Sequence, residues 1–192
     1  MEITNFSRSL EELNKLKQES QEMQKKGLPF MMASVVIWTL ILLVQFMKKE
    51  LITINLYTFM CSCLLLPLVY VFSKLIKADS FKKTENPICK LGFLCTMNQM
   101  LYLLIVMWAF NQKPEAMLML YTMVFGAHLF PYSWVYDSRA YLVISVLDTI
   151  GALIIAQIWG NIATAIFMII TQLLLCILLF TEMRKGKRPI ES

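Results

Sequence analysis

The chain has 192 residues, enough for one domain, and 58% of them are hydrophobic while only 16% are charged, against roughly 45–50% and about 25% in soluble domains. A water-soluble core of this size cannot cover that much apolar surface, so lipid is the natural solvent. The net charge of +5 lies beside apolar runs, where a membrane surface accounts for it before nucleic acid does.

Residues 1–27 are polar and read as a short amphipathic helix. Ile3, Phe6, Leu10, Leu13 and Leu16 form one apolar stripe at helical spacing, and Ser9-Leu10-Glu11-Glu12 fits a capping box. Two readings stand: a helix lying on lipid or on the rest of the protein, and a solvated tail. The first apolar run begins too late and is too long for a signal peptide.

Six apolar runs follow, about 28–47, 51–73, 91–110, 116–136, 140–159 and 162–181. Each has about twenty residues or more, and roughly 20 residues at 1.5 Å rise cross a ~30 Å hydrocarbon layer. Lipid offers backbone groups no partner, and period-two alternation is absent, so helices are expected rather than a barrel. The fold class predicted is all-α: a polytopic six-helix transmembrane bundle over 28–181, followed by a basic tail, 182–192. The loops are short except 74–90. Pro114 suits a helix's first turn, and Glu115 complements its positive end at the outer mouth.

Orientation follows from Lys and Arg. With both termini inside, fifteen of the 18 face the cytoplasm and only Lys48, Lys49 and Lys113 face out, as the positive-inside rule requires. Tyr132, Trp134, Tyr136 and Tyr141 then form an aromatic belt at the cytoplasmic border, and Arg184 and Lys185 anchor the last span, facing anionic lipid. The bilayer is the partner expected, in a cell membrane; nucleic acid is not.

Polar groups inside the spans are costly in lipid and therefore informative. Asp148 is the one acid within a run, and His128 is the one histidine of the chain. Each is eight residues from the tight turn at 137–139, hence about 12 Å deep by helix rise. Asn98, Gln99, Gln172, Ser62 and Ser34 fall at a similar depth. This belt predicts either a small cytoplasm-facing site for a ligand or proton, in which Asp148 and His128 pair, or interhelical hydrogen bonds that only hold the bundle. Pro131 frees the carbonyl of Ala127 beside His128.

The five cysteines have no metal-ligand or disulfide pattern, and no cofactor is expected. There is no phosphate-binding glycine loop, zinc-protease motif or nucleophile elbow, and one histidine with one buried acid leaves hydrolytic catalysis few parts. A transporter or permease-like bundle is the leading expectation; a non-catalytic partner subunit, sensor or lipid-interacting scaffold is the alternative.

Certain stretches resemble a known group. Lys26-Gly27-Leu28-Pro29-Phe30, Asn86-Pro87, Pro114-Glu115, and above all the run Gly126–Tyr141 with its GAHxxPYxW-type core at Gly126–Trp134, resemble a family of bacterial multi-span membrane proteins of unknown function. The resemblance implies a bacterial cytoplasmic membrane and no particular chemistry. Phe130 and Ser133 depart from its pattern, where Leu and Gly are expected.

Overall fold

The computed structural model describes residues 2–185. Met1 and residues 186–192, including the tail cations Lys187 and Arg188, lie outside them, as do the side chains of residues 2–5, Ile3 of the expected stripe among them, and of Lys185. The described residues are all-α, without a strand: α1 Glu2–Gln24, α2 Leu28–Gln45, α3 Leu51–Ser62, α4 Leu65–Ile76, α5 Pro87–Gln112, α6 Met117–Val135 and α7 Arg139–Lys185, with short 3-10 turns at Lys25–Gly27 and Pro114–Ala116.

Local chemistry sets the boundaries. Asn86 caps α5, its Oδ1 accepting from the Ile88 amide at 2.9 Å, and Pro87 occupies the first turn, where a missing N–H costs nothing. The apolar run 51–73 is interrupted: Pro67 cannot donate to the carbonyl of Cys63, and the amides of Cys63 and Leu64 turn back three residues, to Met60 and Cys61. Thus α3 and α4 form one broken rod. Lys77 and Asp137 end α4 and α6 in the left-handed region, at φ 55° and 45°. In each case the next amide, Ala78 or Ser138, reaches back five residues to Ser73 or Ser133 at 2.9 Å, which satisfies end carbonyls in the Schellman manner.

The 47 residues of α7 would span about 70 Å if straight. Instead the chain reverses at Gly160, where φ is 77° and ψ −169°. Gln172 and Asp148 consequently hydrogen-bond at 2.7 Å, although a continuous helix would hold them ~36 Å apart. The two arms, 139–159 and 161–185, are antiparallel neighbours, and Gly151 of the first lies against the Phe167 ring of the second.

Four stretches are helices long and apolar enough to cross a membrane: Phe6–Gln45, Leu51–Ile76, Pro87–Gln112 and Arg139–Arg184. The first contains the α1/α2 bend and the last contains both arms of α7. Helix α6 falls outside this group, because His128, Pro131 and its aromatic hydroxyls dilute its hydropathy. It is the central helix instead, packed on α7 and α5. Met117, Leu118 and Leu129 of α6 are fully buried with Trp38 of α2 and Met168 and Leu175 of α7. Large apolar side chains cover the outer surfaces of α3, α4 and α5, as expected where lipid replaces water.

Helix α1 starts at Glu2, so Ser9 lies inside it and the expected capping box does not begin it. Its second half is docked on the bundle. Leu16 O accepts from Asn86 Nδ2 at 2.8 Å, Met23 O from the Asp79 amide at 2.8 Å, and Gln24 Oε1 from Tyr136 Oη at 2.7 Å. The Lys17 ammonium lies 3.7 Å from the centroid of the Trp134 ring. At the bend, Lys26 Nζ meets Glu182 Oε2 at 2.9 Å, with side chains only 12% and 27% exposed, and Ser138 Oγ donates to Glu182 Oε1 at 3.1 Å. Partial burial makes this pair stronger than a surface bridge. A double-mutant cycle on Lys26→Met and Glu182→Gln should return a coupling of about 1 kcal/mol. A coupling indistinguishable from zero, by chemical or thermal unfolding in detergent, would show that the pair is not closed in solution.

Candidate functional site

The polar belt divides into two sets on opposite faces of α6. The first is interior. Gln172, fully buried on the second arm of α7, donates through Nε2 to Asp148 Oδ2 at 2.7 Å and accepts at Oε1 from Ser34 Oγ of α2 at 3.2 Å. Ser34 shares its hydrogen with the Met31 carbonyl, 2.7 Å away. Asp148 is 0% exposed, and its other oxygen, Oδ1, is buried with no hydrogen-bond partner. The Thr171 hydroxyl is close enough to act on the carboxyl but donates to Met168 O at 3.1 Å. The α6 side of Asp148 is formed by Gly126, which has no side chain to keep the helices apart.

The second set faces α5. Residues 126 and 128 are about 200° apart around a helix, so His128 points away from Asp148. Its Nδ1 lies 2.6 Å from the Phe125 carbonyl. The ring also packs edge-on against Phe125 and Tyr132, at centroid distances of 5.2 and 5.9 Å. His128, Ala127 and Pro131 form one wall of an open groove of about 740 Å³ whose other wall includes Leu94, Asn98 and Leu101 of α5. Asn98 is exposed there and donates to Tyr102 Oη at 2.9 Å. The expected pairing of His128 with Asp148 is therefore not formed: the two are near in sequence depth but separated by the thickness of α6.

The remaining expected residues have other surroundings. Ser62 is 2.7 Å from Tyr121 Oη, joining α3 to α6. Gln99 is half-buried on α5. Glu115 is exposed in the turn before α6 and borders a shallow recess of about 190 Å³ with Gln157 and Asn161. Tyr136 and Tyr141, expected as border anchors, are only 4% and 1% exposed and bond to Gln24 and to the Lys26 carbonyl. Trp134 remains exposed, and the Arg184 guanidinium covers the Phe180 ring at 4.5 Å. Tyr132, expected as a border aromatic, is 2.6 Å from Thr96 Oγ1; sequence reasoning passed over Tyr121 and Asn55, whose Nδ2 donates to Pro114 O at 2.9 Å. Their positions in apolar runs with wide polar partners elsewhere left no local signal.

No group of three or more His, Cys, Asp or Glu among the described residues has metal-site geometry, and all five cysteines are free thiols.

Among known proteins, one family model matches residues 13–182. The chain belongs to DUF7010, a family of unknown function. No curated protein and no solved structure matches it. The DUF7010 match takes in both sets of polar residues and also the docked half of α1, from Leu13 on. The resemblance read from the sequence began only at Lys26.

Proposed function

We propose that this DUF7010 protein is a six-span membrane protein with both ends in the cytoplasm, and that it works as a small permease-like bundle with Asp148 as its proton-linked group. The spans are α2, the broken rod of α3 and α4, α5, α6, and the two arms of α7. The 19 residues of α6 are long enough, at about 28 Å. In this arrangement residues 1–27 lie at the cytoplasmic surface, 28–181 form the bundle, and the basic residues of 182–192 face anionic lipid. The Lys/Arg bias supports the orientation, and the resemblance supports a bacterial cell membrane. Reporter tags on the two termini should report from the same side; signals from opposite sides would end the six-span assignment.

The carrying observation for the site is the orphan Oδ1 of Asp148 in a fully buried carboxyl. A buried carboxylate oxygen without a partner is costly in low dielectric, so the group holds a proton or gives that oxygen to a ligand during its working cycle. Gln172 and Ser34 orient the carboxyl from the second oxygen and carry no charge of their own. In proteoliposomes carrying a pH-sensitive dye, an imposed potential should drive proton flux through the wild type, with Asp148→Asn reducing it at least about tenfold, the factor of a ~1.4 kcal/mol barrier change. Flux equal to that of empty liposomes, or unchanged by Asp148→Asn, would sink this reading.

A second reading has its own observation: Ser34, Gln172 and Asp148 bond to one another across α2 and both arms of α7, as interhelical fasteners do. On that reading the protein is a scaffold or partner subunit. Asp148→Ala then lowers stability by about 1–3 kcal/mol through the orphaned Gln172 while no flux is ever seen.

A further inference from the structure

We infer that the groove between α5 and α6 is a binding site for an uncharged, hydroxyl-bearing amphiphile taken from the bilayer, such as a long-chain alcohol. It is distinct from the Asp148 site, on the opposite face of α6, and does not depend on it.

The groove's size, about 740 Å³, suits a ligand with an extended apolar body. Leu94, Met97 and Leu101 supply apolar walls, and the groove is open along one side, which on the six-span reading of α5 and α6 faces lipid, so a ligand enters from there. The polar groups decide its head. Carbonyls only accept, so the hydrogen between His128 Nδ1 and Phe125 O belongs to the ring. In the neutral imidazole this leaves Nε2 as an acceptor. Pro131 has no N–H, so the Ala127 carbonyl has no helical donor four residues on. Asn98 spends one N–H on Tyr102, keeping its carbonyl oxygen and second N–H, while Tyr102 keeps its own hydrogen.

Three acceptors and two donors are therefore carried by residues that line a groove whose wall contains no Lys, Arg, Asp or Glu. A carboxylate or phosphate head could take the two donors but would leave three acceptors unpaired and bring a charge that no cation offsets; an ammonium would meet no anion. A hydroxyl both donates and accepts and needs no counter-ion. A plain alkyl chain would leave every one of these polar groups unpaired in a dry wall.

The test uses the full-length protein in lipid nanodiscs with a hexadecanol that carries a mid-chain diazirine and a terminal alkyne. Matched probes lack the hydroxyl or replace it with a carboxylate. After photolysis, adducts of the alcohol should concentrate on peptides covering 94–102 and 127–131 and disappear under excess plain hexadecanol. Ala127→Trp, which fills the groove from an exposed position, should abolish them. Asn98→Leu and His128→Leu should each weaken them about three- to tenfold, the worth of one hydrogen bond. Asp148→Asn should leave labelling intact, which separates this site from the permease reading. Equal labelling by the hydroxyl-free probe or by the carboxylate overturns the inference, as do adducts spread evenly over α3 and α4. These probe comparisons need no variant, so a misfolded mutant cannot mask the result.

Discussion

Substituting Gly126 with alanine is expected to lower stability by about 1–3 kcal/mol, and with leucine to prevent the native packing altogether. A Cβ at residue 126 would come within 2.8 Å of Asp148 Cβ, of the Thr149 amide nitrogen and of Thr149 Oγ1. Two of these atoms are backbone or fixed directly to it, so no rotamer change makes room; α6 must move off the first arm of α7. Gly92→Ala is the matched control, because its added Cβ would meet only Val135 and Tyr132 at 3.7 and 3.9 Å, an ordinary contact. Gly151→Ala should fall between the two: the obstruction is the far edge of the Phe167 ring, which can turn. Thermal unfolding in detergent, followed with a thiol-reactive dye on the free cysteines, ranks the three. If Gly126→Ala melts together with Gly92→Ala, the close α6/α7 contact is not present in the protein.

The second large effect is expected at Gly27, the last residue of the bend that turns α1 onto the bundle. Its φ is 72°, following Lys25 and Lys26 at 49° and 50°. Three left-handed residues in succession are costly for L side chains, about 1–2 kcal/mol each where glycine is absent. Alanine at 27 would add that strain and place a Cβ 2.9 Å from Tyr141 Oη and 3.1 Å from Tyr136 Cε2. Those hydroxyls hold the bend by donating to Lys26 O and Gln24 Oε1 at 2.8 and 2.7 Å. Gly27→Ala should therefore release α1, with a loss of about 2–4 kcal/mol from strain and hydrogen bonds together. Limited proteolysis reads this directly, as faster cleavage within 13–24. Tyr141→Phe in the same chain should recover part of the loss, because the obstructing oxygen is removed, although alone it costs about 1 kcal/mol. Unchanged cleavage in Gly27→Ala would mean that α1 is not held by this bend.

The large features of the fold were legible because long apolar runs obey a simple rule. Runs of about twenty apolar residues form helices wherever backbone groups have no water, and the tight connections at 137–139 and Gly160 return each helix beside its predecessor. The reversal within α7 was readable for that reason, as was the common depth of Ser34, Asp148 and Gln172, which helix rise alone predicts. Breaks inside a run were harder to read. The division into α3 and α4 depends on where the missing N–H of Pro67 falls relative to neighbouring turns.

Composition and spacing thus determined an all-α chain with helices fit for a membrane and a short set of costly polar residues worth attention. Which of these residues meet was decided only by tertiary structure. Depth along a helix is linear in residue number, whereas the face a side chain takes depends on helix rotation. Gly126, lacking a side chain, turns α6 so that Asp148 approaches it, and His128, about 200° further round, is thereby assigned to α5. Likewise Tyr136 and Tyr141 have the amphipathic character of border residues. They are buried because α1 folds back over them and offers Gln24 and Lys26 as partners, a contact between segments more than a hundred residues apart that no local pattern encodes.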